Sequence, residues 1–223
     1  MNIGVKGWSV SSKTDVVQSL HSLTEMNWSQ PSVWVMSPTD SCLVLGSSQD
    51  DGCIDYLYAE QENIGIARRT SGGGAVLVDP HSLLWVDLFI PREHAFWLDD
   101  ICEAANWIGN LWQRTLSQLG VSSQLHDAPF EKTEIAELVC FAGRGPGELL
   151  VDQKKILGIS QRRTRAGVRF QCALALEWRP DSWIKLFDID SIENFKTIVS
   201  NSGTSVELEK DKVLQEFFRV LNS

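Results

Sequence analysis

The sequence predicts an α/β protein built around one principal core. Short apolar, β-branched-rich runs bounded by turn residues recur along the chain, and one long amphipathic helix interrupts them. A chain of 223 residues is long enough to bury one sizeable core, with a small appendage at most. Hydrophobic residues at 43% and charged residues at 22% are too ordinary for a disordered chain.

In chain order, residues 14–26 read as a short amphipathic helix striped by Val16, Val17, Leu20 and Leu23. Residues 33–36 and Ser41–Leu45 read as strands across the turn Ser37-Pro38-Thr39-Asp40, followed by a short helix at Tyr56–Gln61 and a strand at 64–69. Residues 75–78 and 83–90 flank Asp79-Pro80-His81-Ser82 and predict a hairpin. The clearest helix is 99–119. Asp100 and Glu103 form a capping pair, Ile101, Ala105, Ile108, Trp112, Leu116 and Leu119 share a face, and Gly120 stops it. Beyond Gly147 come strands at 148–151, 155–162 and 168–177, then helical pieces at 182–187 and Lys210–Leu221. Residues 1–180 are assigned to one domain and 181–223 to a short helical extension of it, since the remainder is too short for a second domain.

The net charge of −9 argues against nonspecific nucleic-acid binding, which needs basic patches, but leaves room for a locally basic site. The five cysteines (Cys42, Cys53, Cys102, Cys140 and Cys172) are odd in number and contain no Cys-x-x-Cys pair, which suits free thiols in a reducing compartment. His21, His81, His94 and His126 are scattered, with no helical pair to suggest zinc. No charged start followed by an apolar stretch marks a signal peptide, and no apolar run reaches membrane-spanning length. The expectation is a cytoplasmic protein without a membrane, nucleic-acid or structural-metal partner.

Chemistry concentrates in three stretches. In Arg68-Arg69-Thr70-Ser71-Gly72-Gly73-Gly74-Ala75, glycines that lack Cβ let a ligand lie against the backbone beside two guanidinium groups. A solvated Gly-rich hairpin is the plainer alternative, and the spacing is not that of a P-loop. In Lys155-Ile156-Leu157-Gly158-Ile159-Ser160-Gln161, alternation sets Lys155 on the face opposite Ile156; if Ile156 faces the core, the lysine faces a cleft where it can polarise an acyl carbonyl. In Val139-Cys140-Phe141-Ala142-Gly143-Arg144, a loop cysteine near a lysine is a candidate acyl nucleophile, though a free cysteine is more often an inert buried thiol.

Together, Gly46-x-x-Gln49, Arg68-Arg69-x-Ser71-Gly72-Gly73-Gly74-Ala75-Val76 and Lys155-Ile156-x-Gly158-x-Ser160-Gln161 resemble, in order and spacing, the lipoate–protein ligase A/octanoyltransferase superfamily. That resemblance covers roughly residues 14–180. It implies the biotin/lipoate ligase catalytic fold: a mixed β-sheet with flanking helices, distantly similar to the class II aminoacyl-tRNA synthetase core. It also implies that Arg68, Arg69, Ser71, Gly72, Gly73, Gly74, Ala75, Gln49, Gly158 and Ser160 line the substrate site and that Lys155 contacts the activated carbonyl.

Two reactions run on this scaffold. As a ligase, the protein would use ATP and Mg²⁺ to activate lipoate, with Glu148 as a metal-site candidate where ligases resemble Asn-Asp. As an octanoyltransferase it would need neither, taking octanoate from acyl carrier protein onto Cys140, since that branch has a Cys-Phe loop like Cys140-Phe141. Either enzyme would deliver its acyl group to a lysine of a lipoyl carrier domain, in a 2-oxoacid dehydrogenase or the glycine cleavage H protein. The ligase reading stands slightly ahead, and a separate accessory domain is a possible partner for it. A non-catalytic lipoate-binding protein is a third reading, and a biotin ligase a weaker fourth, because its glycine loop resembles Gly-Arg-Gly-Arg. The chain departs from the family at two positions where histidine is frequent, Val78 and Cys172. Arg162, Arg163, Arg165 and Arg169 around one turn are candidates for a basic patch facing an acidic carrier.

Overall fold

The computed structural model describes residues 5–23, 28–133, 135–189 and 192–223. Its large sheet has the order β1 (Ser9–Asp15), β2 (Ser32–Pro38), β6 (Leu83–Pro91), β10 (Gly167–Ala175), β9 (Lys154–Arg163), β8 (Leu149–Val151) and β7 (Gln124–Leu125). A second sheet has the order β4 (Ile64–Arg68), β3 (Ser41–Leu45) and β5 (Val76–Val78). Both are mixed: β1 runs parallel to β2 and β3 to β4, and the other pairings are antiparallel. The helices are α1 (Val17–Ser22), α2 (Tyr56–Gln61), α3 (Ile101–Gln118), α4 (Pro180–Ile184), α5 (Ile192–Ser202) and α6 (Lys210–Leu221). The mixed α/β architecture expected from the resemblance is present. No helix among the described residues is long and apolar enough to cross a membrane.

Central strand β6 is buried along its whole length, so its two faces build two different cores. Leu84, Val86, Leu88 and Ile90 join Phe170, Cys172 and Leu174 of β10 beneath α3 and α6, where Trp112 and Phe217 rings meet at 4.6 Å. Burying one such aromatic or aliphatic side chain contributes about 1.5–3 kcal/mol, which fixes this face firmly. The opposite face carries Trp85, Asp87 and Phe89 toward α1 and the small sheet. It is this second face that holds the site.

Asp100 caps α3 by accepting from the Cys102 and Glu103 amides at 2.7 and 2.9 Å, and Ala105, Ile108, Trp112 and Leu116 are buried as their spacing predicts. Ile101 is the exception, at 57% exposed. The expected hairpin at 75–90 does not form. β5 pairs with β3 and β6 with β2 and β10, so the intervening turn crosses between sheets. Asp79 holds that crossing: it accepts from the amides of His81 and Ser82 and from Ser41 Oγ at 2.7 Å. The helix expected at 14–26 is shorter. β1 claims residues through Asp15, Val16 is exposed, and α1 begins where the Val17 amide donates to Asp40 Oδ1 at 2.7 Å; positions 24–26 lie outside the described residues.

Candidate active site

The Arg68–Gly74 stretch is a loop braced by its own arginines. Arg69, only 5% exposed, donates to the carbonyls of Gly72, Gly74 and Val44 at 2.8, 2.9 and 3.3 Å. Arg68 donates to the carbonyls of Gly46 and Gln49 at 2.9 and 2.7 Å and pairs with Asp51 at 3.3 Å. Gln49 completes the brace, accepting from the Gly46 amide and donating to the Leu138 carbonyl. Gly73 has φ +99°, and a Cβ on Gly74 would lie 2.5 Å from the Ala136 carbonyl oxygen. The loop therefore needs glycine for backbone close approach, and both arginines donate mainly to carbonyls. Arg69 Nε is buried and without a hydrogen-bond partner among the described residues.

A β-bulge aims the lysine. β9 pairs with β8 as Leu149↔Leu157 and Leu150↔Lys155, so one extra residue of β9 fits between these pairs. Ile156 and Leu157 consequently both enter the α3/α6 core, while Lys155 and Gly158 take the other face. Simple alternation would have put Leu157 beside the lysine. Lys155 is 1% exposed; its ammonium donates to the Cys140 carbonyl at 2.8 Å, pairs with Glu148 at 2.6 Å, and lies 5.6 Å from the Phe141 ring centre. Glu148 in turn accepts from the Gly145 amide at 2.6 Å and the Ile159 amide at 3.2 Å.

Glu148 is thus the lysine's counter-ion. A divalent cation on that carboxylate would have to displace the ammonium, and the described residues include no group of three or more His, Cys, Asp or Glu suited to a metal.

Cys140 opens a 3-10 turn, Cys140–Ala142, tied to the glycine loop because its amide donates to the Ala75 carbonyl at 2.9 Å and the Ala75 amide to Leu138 at 2.8 Å. Ser71 Oγ and Ser160 Oγ close the contact between glycine loop and β9 at 3.3 Å. Between these walls lies a partly open pocket of about 50 Å³, lined mainly by apolar groups such as Val44, Val78, Leu83 and Trp85. Arg69, Cys140, Gly158 and Ser160 line it too, which brings members of all three sequence stretches together. Val78 and Cys172, the two departures from the family pattern, are also in this lining. Burial pushes the Cys42 thiol up to about 12 and raises that of Cys172, which disfavours the thiolate at both.

His21, from α1, reaches the same pocket. Its ring stacks on Trp85 with centroids 4.4 Å apart, and Nδ1 lies 3.3 Å from Gln171 Nε2. Nothing in the sequence around it announces a site; only the tertiary fold delivers it. Arg169 holds α1 in place, donating to the carbonyls of Leu23 and Leu20 while it pairs with the fully buried Asp87 at 2.6 Å. Burial lifts the Asp87 carboxyl to about 6, against the opposing pull of Arg169 and the Trp85 N–H.

Burial first, then the charges of Arg169 and Arg69, hold His21 down at about 3. An unfolded histidine titrates near 6.5, so this contribution to stability is complete above that pH and is lost as pH falls toward 3. The slope is about 1.4 kcal/mol per pH unit. Acid unfolding of His21→Phe should therefore show a shallower stability loss between pH 6 and 4 than wild type; superimposable curves would contradict the buried neutral ring.

The expected basic patch is reduced. Arg163 donates to the carbonyls of Leu98, Asp99 and Asp100 and covers Trp97, and Arg169 is committed to Asp87 and α1. Arg162 and Arg165 remain exposed.

Fold and pocket together define a catalytic domain of the lipoate-ligase architecture. The chain belongs to the lipoyl protein ligase A/B catalytic domain family, which it matches over residues 15–216. Among solved structures it is similar to a lipoate–protein ligase A bound with ATP, at 16% identity and a TM-score of 0.68, covering 96% of this chain and 82% of that one. It is similar also to a Thermoplasma acidophilum bi-partite lipoate protein ligase, described with its E2 lipoyl domain, at 14% identity and a TM-score of 0.70, covering 95% and 82%. A T. acidophilum structure of the same kind with lipoic acid bound gives a TM-score of 0.72 at 14% identity, covering 96% and 83%. These likenesses are of fold. No curated protein sequence matches the chain.

Proposed function

We propose that the protein is a lipoate–protein ligase: it activates lipoate with ATP and passes the lipoyl group to a lysine of a lipoyl carrier domain. The observation that carries this reading is a buried lysine held against the Cys140 wall of an apolar pocket. An ammonium has three N–H donors, and Lys155 spends one on the Cys140 carbonyl and one on Glu148. The third has no partner among the described residues and would be offered to an acyl carbonyl or phosphate oxygen. In the first step a lipoate carboxylate oxygen bonds to the α-phosphorus of ATP and pyrophosphate leaves. In the second, the carrier lysine's amine attacks the carbonyl, AMP leaves, and the amine loses a proton. Negative charge builds on the α-phosphate oxygens in the first step and on the acyl carbonyl oxygen in the second, and a fixed ammonium out of water stabilises it more than a solvated one would. No step is assigned to Mg²⁺ at Glu148, since the carboxylate is occupied by Lys155.

The structures of lipoate-bound and ATP-bound relatives support the choice of substrates, and the relative described with its E2 lipoyl domain supports the acceptor. Given ATP, magnesium, lipoate and an isolated lipoyl domain, the protein should add one lipoyl group to that domain, read by intact mass. An unmodified domain would count against the reading.

A second reading has one observation in its favour: Cys140 lines the pocket next to Lys155. There the thiolate of Cys140 would take octanoate from acyl carrier protein, releasing the carrier's thiol, and hand it to the acceptor lysine. Under the ligase reading, Cys140→Ser keeps lipoyl transfer within about threefold of wild type, as befits a substitution outside the reacting atoms. An octanoyl adduct on the wild-type enzyme that disappears in Cys140→Ser would favour the transferase instead.

A further inference from the structure

His21 is the one imidazole in the pocket lining, and it is set up with care. Its ring plane is fixed by Trp85, and its helix by Arg169, whose own charge is fixed by Asp87. Gln171 presents an amide nitrogen to Nδ1 at 3.3 Å. An amide nitrogen can only donate, so Nδ1 accepts, and a neutral ring then carries its proton on Nε2. That Nε2 is buried and has no hydrogen-bond partner among the described residues. Leaving a buried donor unpaired costs about 1–3 kcal/mol, so the position favours an occupant that supplies an acceptor.

Position along the sheet says which end of an acyl group it meets. Lys155 starts the site face of β9. Gly158, opposite Ala173, which is itself opposite Trp85, lies three residues on, roughly 10 Å by strand rise. His21 stacks over Trp85, and its partner Gln171 pairs with Ser160, further along still. With a carboxyl end at Lys155, His21 is beside the tail.

A saturated alkyl tail offers Nε2–H nothing. A tail ending in a cyclic disulfide offers sulfur, a weak acceptor that also packs well against the Trp85 ring. We infer that His21 is a specificity-determining residue whose Nε2–H donates to a dithiolane sulfur, so that the pocket prefers a lipoyl over an octanoyl group. The inference rests on the reading of this pocket as an acyl site.

Calorimetric titration of the full chain with lipoate and with octanoate separates the two. Wild type should bind lipoate more tightly. His21→Phe, which keeps the aromatic stack and removes the donor, should weaken lipoate about tenfold and leave octanoate within about twofold. His21→Gln, which keeps a donor, should retain most of the preference. An unchanged lipoate-to-octanoate ratio in His21→Phe, or equal losses for both acids, overturns the role of His21 while the acyl pocket stands. Binding of neither acid by wild type overturns the acyl pocket and this inference with it.

Discussion

Lys155→Met is expected to abolish acyl transfer and to destabilise the fold, and adding Glu148→Gln is expected to restore the fold alone. The lysine and glutamate are 1% and 4% exposed, so the single change strands a buried carboxylate. Removing one member of such a pair typically costs about 3–5 kcal/mol, whereas neutralising both costs far less. Transfer should fall by roughly 10²–10³-fold or more, the usual effect of deleting a preorganised donor to developing negative charge. Urea unfolding and single-turnover transfer, measured on both variants, keep the two effects apart. If the double variant regained transfer along with stability, Lys155 would be a structural cation and the chemistry would lie elsewhere.

The second large effect concerns the glycine loop, and it differs among its three glycines. A Cβ on Gly74 would stand 2.5 Å from the Ala136 carbonyl oxygen and 2.9 Å from the Cys140 amide nitrogen, both backbone atoms that cannot swing aside. Gly74→Ala should therefore cost about 1–3 kcal/mol by overpacking. It should also disturb the Ala75–Cys140 link that sets the lysine's carbonyl partner. A Cβ on Gly72 would meet nothing within 4 Å, so Gly72→Ala should melt close to wild type. Differential scanning calorimetry of the pair decides the matter. Equal melting temperatures would mean that the loop is not packed as described.

Much of this site was legible in the sequence because motif and backbone requirement coincide there. Consecutive glycines flanked by arginines require close backbone approach, and Lys155 with Gly158 marks the strand that borders the pocket. Periodicity was equally informative for α3, where an acidic cap and an apolar face agree. It failed where long-range pairing decides. Nothing local tells β5 that its partner is β3 rather than β6, so a good turn at Asp79 reads as a hairpin. The bulge in β9 is likewise set by β8, and the alternation that placed Lys155 correctly would have misplaced Leu157.

The roles of the arginines shifted most. Sequence alone offers charged groups near glycines and suggests an anion site. Folding buries Arg69 and ties both Arg68 and Arg69 mainly to carbonyls, and engages Arg163 and Arg169 in bracing α3 and α1. Arginine's five donors suit this bracing, which no reading of charge along the chain reveals. His21 illustrates the converse. A lone histidine on a short helix carries no motif, and becomes part of the pocket through tertiary contacts, the Arg169 clamp among them.

On the proposed ligase function, the acyl carboxyl is activated in this pocket at the expense of ATP. Lipoate-dependent exchange of labelled pyrophosphate into ATP isolates that step from any acceptor protein. Exchange that requires lipoate and is lost in Lys155→Met is the predicted result. No exchange with folded wild-type protein that binds lipoate would contradict it.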